Sequence, residues 1–214
     1  MKISRIERQK KNPRRVNIFL DDEFGFGLHA EILLRSGLRA GDELTSDRIR
    51  ELERTEEEYL AGQSALRYLR RRLRSEQELR NKLQTAEFSS GIIDQVICRF
   101  RESGLIDDRR FAQALFHDLQ LRSPLGVRLL RRRLHLKGVP DGLIEDLLAD
   151  QASDQLQSEA ALEVAKKYLR RTGSRHGGLG ASERAQKTGK HLEQRGFEWQ
   201  VISSVLRKLF PSSE

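Results

Sequence analysis

The chain has 214 residues, a formal net charge of +8 and only one cysteine, Cys98, which excludes an internal disulfide. No run approaches the roughly 18 apolar residues of a membrane span, and the N-terminus lacks the apolar stretch of a secretory signal. We therefore expect a cytoplasmic protein with no membrane association and a buried Cys98 thiol.

The first 45 residues lack a helical period and predict a small β-structure. Apolar residues alternate at positions 16, 18 and 20 and again at 24, 26 and 28, and an acidic turn at 21–23 separates the two runs. This pattern is typical of a β-hairpin, with Ile3 and Ile6 as candidates for a third strand. Gly25 and Gly27 weaken strand propensity, so they indicate a bulge or a close backbone approach rather than a phosphate loop.

From Thr45 or Ser46 onward the pattern is helical, and helix boundaries follow one another closely. Ser75 and Glu78 match a capping box. Further helices are expected to begin at Ser89 or Ser90, at Asp107 or Asp108, at Ser123-Pro124 and at Pro140, and helices are expected to end at Gly104 and Gly138. The glycine-rich stretch 173–182 is predicted to be a flexible connector.

A stretch of about fifty residues recurs three times with one apolar skeleton. The positions are Leu79, Leu83, Phe88, Ile93, Val96 and Ile97, then Leu130, Leu134, Val139, Ile144, Leu147 and Leu148, then Leu192, Phe197, Ile202, Val205 and Leu206. In the third copy Thr188 stands where the first leucine is expected. Such a period indicates an array of small units, each unable to bury its apolar face alone.

The predicted fold is therefore mostly α: three tandem three-helix repeats, resembling helix-turn-helix units, in an elongated array. Residues 1–45 form a β-hairpin extension, and 46–107 form a linker helix and repeat 1. Residues 108–152 form repeat 2, and 153–214 form repeat 3 with the glycine-rich loop 173–182.

Residues that could carry chemistry are scattered. The five histidines, at 29, 117, 135, 176 and 191, show no metal-ligand spacing. Asp107 and Asp108 are adjacent carboxylates, and helix capping accounts for them. We therefore predict no catalytic residue, no metal and no cofactor, and a protein that is not an enzyme.

Basic clusters are the remaining candidates for a binding surface. The first, Arg67, Arg70, Arg71 and Arg74, is expected to share a helix with Leu66, Leu69 and Leu73 and to point away from that leucine stripe. The second comprises Arg128, Arg131, Arg132 and Lys137, with Leu130 and Leu134 facing inward. No acid lies between the arginines of each run, so pairs within the helix cannot neutralise them.

Two interpretations of these clusters stay open. They are either solvated helix faces or a surface for a polyanion, since the planar arginine head suits phosphate and carboxylate. Side chains that read base edges are scarce among them, so direct DNA binding is expected to be of the backbone type, weak and salt-sensitive.

Three segments resemble the signature stretches of RecX regulatory proteins. They are Leu73-Arg-Ser-Glu-Gln-Glu-Leu-Arg-Asn-Lys-Leu83, Gly104-Leu-Ile-Asp-Asp-Arg-Arg-Phe-Ala112 and Arg131-Arg-Arg-Leu-His-Leu-Lys-Gly-Val139, and the hairpin Asn17–Gly27 is similar to the N-terminal extension of many members. The resemblance implies a non-enzymatic, curved trihelical array that lies in the groove of the RecA–DNA filament. It implies suppression of the RecA ATPase, strand-exchange and coprotease activities.

The partners that follow from this resemblance are the RecA filament and, through the basic faces, DNA. We expect a monomer. The alternative from another functional class is a stand-alone nucleic-acid-binding helical module that contacts the phosphate backbone.

Overall fold

The computed structural model describes residues 1–149, 153–176 and 179–211, which contain three strands and ten helices. The strands are β1 (Ile3–Arg8), β2 (Arg15–Leu20) and β3 (Glu23–His29). The helices are α1 (Ala30–Ser36), α2 (Ser46–Leu69), α3 (Glu76–Thr85), α4 (Ser90–Glu102), α5 (Asp108–Arg122), α6 (Val127–Leu136), α7 (Asp141–Ala149), α8 (Asp154–His176), α9 (Ala181–Gln194) and α10 (Trp199–Leu209). No helix in the described ranges is long and apolar enough to cross a membrane.

The chain divides into two compact units. The N-terminal unit comprises residues 1–72 and 79–105, and the C-terminal unit comprises residues 73–78 and 106–214. The domain boundaries expected from the sequence, at 45, 107 and 152, stay predictions, and the last of them lies outside the described residues.

The N-terminal sheet confirms the predicted hairpin and its third strand. The order is β1-β2-β3, all antiparallel, and the turn at Asp21 and Asp22 has φ of 48° and 69°. Positive φ at both central residues is the geometry of the hairpin turn that matches strand twist. Ile18 and Leu28 are fully buried in the core that this sheet forms with α1 and α2.

Gly25 is the residue that the sheet accommodates as a bulge. Ile18 pairs with Phe26 and Phe19 pairs with Phe24, so Gly25 has no partner of its own across the ladder. A Cβ at Gly25 would lie 2.8 Å from the Leu20 side chain, so only glycine fits without a shift. The bulge also turns Phe24 to the outer face, where it is 61% exposed, so the strict alternation predicted for β3 is wrong at Phe24.

The helix α1 was not expected from the sequence. Its N-cap is His29, whose Nδ1 accepts a hydrogen bond from the Glu31 amide. Its C-cap is Gly37, which has φ of 67°. A helix of seven residues is too short to show a clear apolar period, which explains why sequence reasoning missed it.

The repeat skeleton is confirmed by burial. Five of the six positions in each of the first two copies are at most 3% exposed, and only Phe88 and Leu147 are half-buried. In the third copy Leu192, Phe197, Ile202 and Val205 are buried and Leu206 is half-buried. Thr188 is fully buried as well, and its hydroxyl donates to the Arg184 carbonyl at 2.8 Å, so its polar atom is satisfied within α9.

Cys98 is exposed, so the predicted buried thiol is wrong. Ile97 and Phe100 occupy the core face of α4, and Cys98 lies about 100° around the helix from Ile97. Its Sγ lies 3.3 Å from a carboxylate oxygen of Glu102, one turn further on.

The start of α6 also differs from the prediction. Ser123 and Pro124 lie in a non-helical segment, and the N-cap of α6 is Gly126. The first amide of the helix, that of Val127, is accepted at 3.2 Å by the side chain of Gln157 on α8 rather than by a serine. Such a cap from 30 residues away cannot be read from local sequence.

The glycine-rich connector is shorter than predicted. Helix α8 continues through Gly173 to His176, and α9 begins at Ala181. Six residues that were predicted as loop, 173–176 and 181–182, are therefore helical, and positions 177 and 178 lie outside the described residues.

The two carboxylates at 107 and 108 have separate structural roles. Asp107 is the N-cap of α5 and accepts the Arg110 amide at 2.9 Å. Asp108 accepts the amide of Glu76, the first residue of α3, at 2.8 Å. Burial raises the pKa of the Asp108 carboxyl, the Glu76 amide lowers it, and the nearby carboxylates of Glu76 and Asp107 raise it further.

This geometry predicts different costs for two substitutions of Asp108. Asp108→Ala removes the acceptor of the Glu76 amide and should cost about 1–3 kcal/mol in the free energy of unfolding. Asp108→Asn keeps an acceptor oxygen and removes a carboxyl group whose pKa is raised on folding. Its cost in the free energy of unfolding should therefore be less than half that of Asp108→Ala. A carboxyl with a raised folded pKa loses its stabilising contribution as the pH rises through that pKa, so Asn should be best tolerated at neutral pH. Urea unfolding of both variants checks this, and equal losses would contradict it.

Two glycines allow the second and third repeats to pack closely within the C-terminal unit. A Cβ at Gly126 would lie 2.1 Å from the Gly196 carbonyl oxygen, and a Cβ at Gly196 would lie 2.3 Å from the Leu129 Cβ. Gly196 also has φ of 84°, which disfavours any side chain. The backbones therefore touch at this point, and the Gly126 amide donates to the Arg195 carbonyl at 3.0 Å.

Gly126→Ala and Gly196→Ala should each destabilise the protein by about 1–3 kcal/mol or more, because the added methyl overpacks against backbone. Gly142→Ala is the matched control, since it lies on α7 with no atom within 4 Å of its added Cβ. It should be neutral or stabilising by up to about 1 kcal/mol. Thermal melting of the three variants measures the difference, and similar shifts for Gly126 and Gly142 would refute the contact.

Candidate interface of the basic clusters

The first basic cluster does not lie on one helix, so that part of the prediction is wrong. Helix α2 ends at Leu69, Arg70 is its C-cap, and residues 71–75 are non-helical. Leu73 is 43% exposed and so does not extend a buried stripe. The Leu-Arg-rich sequence favours helix at every position, but the chain must leave α2 here because Ser75 caps the next helix, with its hydroxyl 3.1 Å from the Glu78 amide.

The arginines of this cluster have different surroundings. Arg67 donates to the Ser64 hydroxyl at 2.7 Å, and its guanidinium lies 5.9 Å from the Tyr68 ring centre. The side chains of Arg70 and Arg71 are exposed and contact no polar partner in the part of the chain that the structure describes. Arg74 is half-buried and belongs to the C-terminal unit, whereas the other three belong to the N-terminal unit.

The second basic cluster has the predicted orientation on α6. Leu130 and Leu134 are fully buried, Arg128 and Arg132 are exposed on the opposite side of the helix, and Arg131 is exposed beside them. Burying two leucines over one turn fixes how α6 rotates, so the arginines face outward as a consequence of core packing.

Two members of the second cluster are neutralised by acids that sequence reasoning missed. Arg131 donates to both carboxylate oxygens of Glu145 on α7, at 2.8 and 2.9 Å. This hydrogen bond raises the pKa of Arg131 and lowers that of Glu145. Lys137 lies 3.4 Å from a carboxylate oxygen of Glu78. Both partners are distant in sequence, so the absence of acids within the arginine run gave no signal of them.

Arg128 and Arg132 keep their charge available. Arg128 donates to a backbone carbonyl, that of Glu193, at 3.1 Å, and Arg132 has no polar partner within the described ranges. The two side chains are one helical turn apart. With Leu129, Glu193, Gln194 and Gly196 they line an open depression of about 520 Å³ between α6 and the end of α9. This pair is the strongest candidate contact for an anionic surface.

Arg195 is a further basic residue that the sequence reasoning overlooked. One of its terminal nitrogens donates to the carbonyls of Ser123 and Pro124, both at 2.9 Å, so it joins the third repeat to the loop before α6. The signal was present, because Arg195-Gly196-Phe197 stands in the third copy where Lys137-Gly138-Val139 stands in the second.

Among the described residues, no group of three or more histidine, cysteine or acidic side chains is arranged to hold a metal ion. Four of the exposed side chains on α6 are arginines, and arginine binds carboxylate or phosphate through paired hydrogen bonds. The geometry therefore supports recognition of an anionic surface.

Comparisons with known proteins assign the chain to a protein family. Three family profiles match it: the regulatory protein RecX N-terminal domain over residues 1–45, the first three-helix domain of RecX over 61–100 and the second over 107–148. A regulatory protein RecX from Bacillus licheniformis is 33% identical over 207 residues, which cover 96% of this chain and 76% of that protein. The chain belongs to the RecX family of regulatory proteins. The RecX protein of Bacillus subtilis is 30% identical over 207 residues, covering 97% of this chain and 76% of the relative.

The fold agrees with this assignment. The crystal structure of a regulatory protein RecX superposes with a TM-score of 0.72 at 27% identity, covering 95% of this chain and 98% of the other. The match confirms the predicted fold class of tandem three-helix repeats with a small N-terminal sheet. The comparisons do not test the contact residues proposed from the sequence, which stay predictions.

Proposed function

We propose that this protein binds the RecA–DNA filament in its groove and inhibits the ATPase, strand-exchange and coprotease activities of RecA. Membership of the RecX family over nearly the whole chain is the observation that carries the proposal. In this proposal the protein acts in the cytoplasm as a monomer, without catalysis or cofactor.

The basic residues support a binding role of this kind. Arg128 and Arg132 are exposed cations on α6, and Arg70 and Arg71 are exposed cations of the N-terminal unit. Exposed arginines favour an anionic partner and speed association with it. Arg131 and Lys137 are already paired with acids, so they are weaker candidates for contact with an anionic partner. We therefore place the main contact of the second basic cluster on Arg128 and Arg132.

A stand-alone nucleic-acid-binding module is the second candidate. The observation that favours it is the set of exposed arginines with no carboxylate partner, since phosphate contacts need charge but no base-reading side chains. Such binding would be strongly salt-dependent and largely indifferent to RecA.

Co-sedimentation separates the two candidates. The protein is mixed with RecA filaments assembled on single-stranded DNA with a slowly hydrolysed ATP analogue, and in parallel with the same DNA alone. We expect the protein to pellet with the filament at salt concentrations that abolish binding to naked DNA. Equal retention on both, lost together as salt rises, would favour the nucleic-acid module.

A further inference from the structure

The third repeat contains a small basic cavity that the basic clusters described above do not include. It lies between α8 and α9, has a volume of about 220 Å³, and is bounded on one side by Ser123. Its lining residues are Ser123, Val164, Lys167, Tyr168, Arg171, His191 and Arg195, so four of the seven can carry positive charge and none is acidic.

Arg195 gives this cavity a fixed positive charge. Its guanidinium donates to two backbone carbonyls and to no carboxylate, and its Nε is buried without a hydrogen-bond partner. Burial lowers the pKa of Arg195, and the charge of Arg133 lowers it further, so this cation lies where positive charge is disfavoured. An anion placed beside it would relieve that repulsion.

His191 adds a donor whose charge state depends on the same surroundings. Its ring stacks on Tyr168 from α8 with ring centres 4.3 Å apart and an angle of 15° between the planes, which fixes its orientation. Burial lowers the pKa of His191, and Arg195 and Arg171 lower it further. The polar and charged groups that line the cavity with the imidazole are Lys167, Tyr168 and Arg171 from α8, Arg195 at the C-cap of α9 and Ser123 from the loop before α6.

Lys167 and Arg171 complete the rim. They are one helical turn apart on α8, both are exposed, and neither has an acidic partner in the described part of the chain. Two long cationic side chains at one edge and a fixed guanidinium with an imidazole inside form a concave arrangement of donors, unlike a convex solvated helix face.

We propose that this cavity is a binding site for one phosphoryl group. Up to four cationic groups around a small volume match a dianion with several acceptor oxygens better than a single carboxylate. The volume is below the 300–1,000 Å³ range typical of drug-sized ligands, so it suits an anion of phosphate size rather than a whole nucleotide. The phosphoryl group comes either from free phosphate or from a DNA backbone, and the site does not depend on Arg128 or Arg132.

The test follows the His191 imidazole by NMR in the full chain during titration with inorganic phosphate, with sodium chloride at matched ionic strength as reference. We expect saturable shifts of the His191 resonances and a higher imidazole pKa in the presence of phosphate, because a bound anion stabilises the imidazolium. Lys167→Gln with Arg171→Gln should weaken phosphate binding about tenfold or more, since two charge-assisted contacts are lost.

Lys166→Gln with Arg170→Gln is the matched control. It makes the same charge change one position earlier on α8, at exposed residues that do not line the cavity, so it should leave phosphate affinity within about twofold. An absent His191 response in the folded protein, or equal weakening in both double variants, would overturn the site.

A final arm identifies the source of the phosphoryl group. A short single-stranded oligonucleotide is added in place of phosphate. Oligonucleotide-induced His191 shifts that compete with phosphate assign the cavity to backbone phosphates. A response to phosphate alone assigns it to the free anion.

Discussion

Leu134→Asp is expected to unfold at least the second repeat. Leu134 is fully buried in the core formed by α5, α6 and α7, where Leu130, Val139 and Ile144 surround it. Truncating a buried leucine to alanine already costs about 2–5 kcal/mol, and a buried, unpaired carboxylate adds a desolvation cost. A loss of this size approaches the whole stability of a small domain, which is about 5–15 kcal/mol.

Circular dichroism at 222 nm with thermal melting measures this effect, and Leu136→Asp provides the control. Leu136 lies two residues further along α6 but is 70% exposed, so the same change there should leave helicity and melting nearly intact. A Leu134→Asp protein with unchanged helicity and melting would refute the repeat register, because that register places position 134 in the core.

Reversing the charges of Arg128 and Arg132 should weaken binding to the filament while the fold persists. Both side chains are exposed, and the main structural loss is one hydrogen bond from Arg128 to a backbone carbonyl, about 0.5–1.5 kcal/mol. Removing one partner of a close interfacial charge pair costs on the order of 2–5 kcal/mol in binding, and reversal adds repulsion. We therefore expect a loss of roughly 30-fold or more in the affinity of Arg128→Glu with Arg132→Glu for the filament.

Binding to the filament and to naked single-stranded DNA should both be measured, over a range of salt. Loss of filament binding alone indicates a protein-facing surface, and parallel loss with a flatter salt dependence indicates phosphate contact. Lys10→Glu with Lys11→Glu makes the same charge change in the exposed turn between β1 and β2. If the Arg128 and Arg132 double variant still inhibits RecA fully, these arginines belong to solvated helix faces. Equal losses of filament affinity in both double variants would indicate an effect of total charge.

The repeat register and most of the helix boundaries could be predicted because local chemistry determines them. The spacing of Leu130 and Leu134 determines which face of α6 is buried. Asp107 caps α5 by accepting the amide of Arg110, three residues along the chain. The bulge at Gly25 could be predicted because glycine inside a strand pattern marks a bulge or a close backbone approach, and here the adjacent strand supplies that approach through Leu20.

The features that could not be predicted depend on contacts distant in sequence. Glu145 neutralises Arg131 from the next helix, and Gln157 caps α6 from α8. The end of α2 at Leu69 was missed for a different reason: helix propensity continues past it through Leu73, although the Ser75 cap of the next helix was predicted. The ion pairs of Arg131 and Lys137 therefore leave Arg128 and Arg132 as the two arginines of the second cluster that have no acidic partner among the described residues.

The measurement that tests the proposed function most directly is a titration of this protein into a RecA ATPase assay on single-stranded DNA. We predict that ATP turnover falls at a ratio well below one molecule per RecA subunit, because a molecule lying in the filament groove spans several subunits. Binding to the same DNA without RecA is measured alongside. Unaltered ATP turnover and strand exchange at saturating protein would contradict the proposal, and retained binding to the DNA alone would then favour the nucleic-acid module.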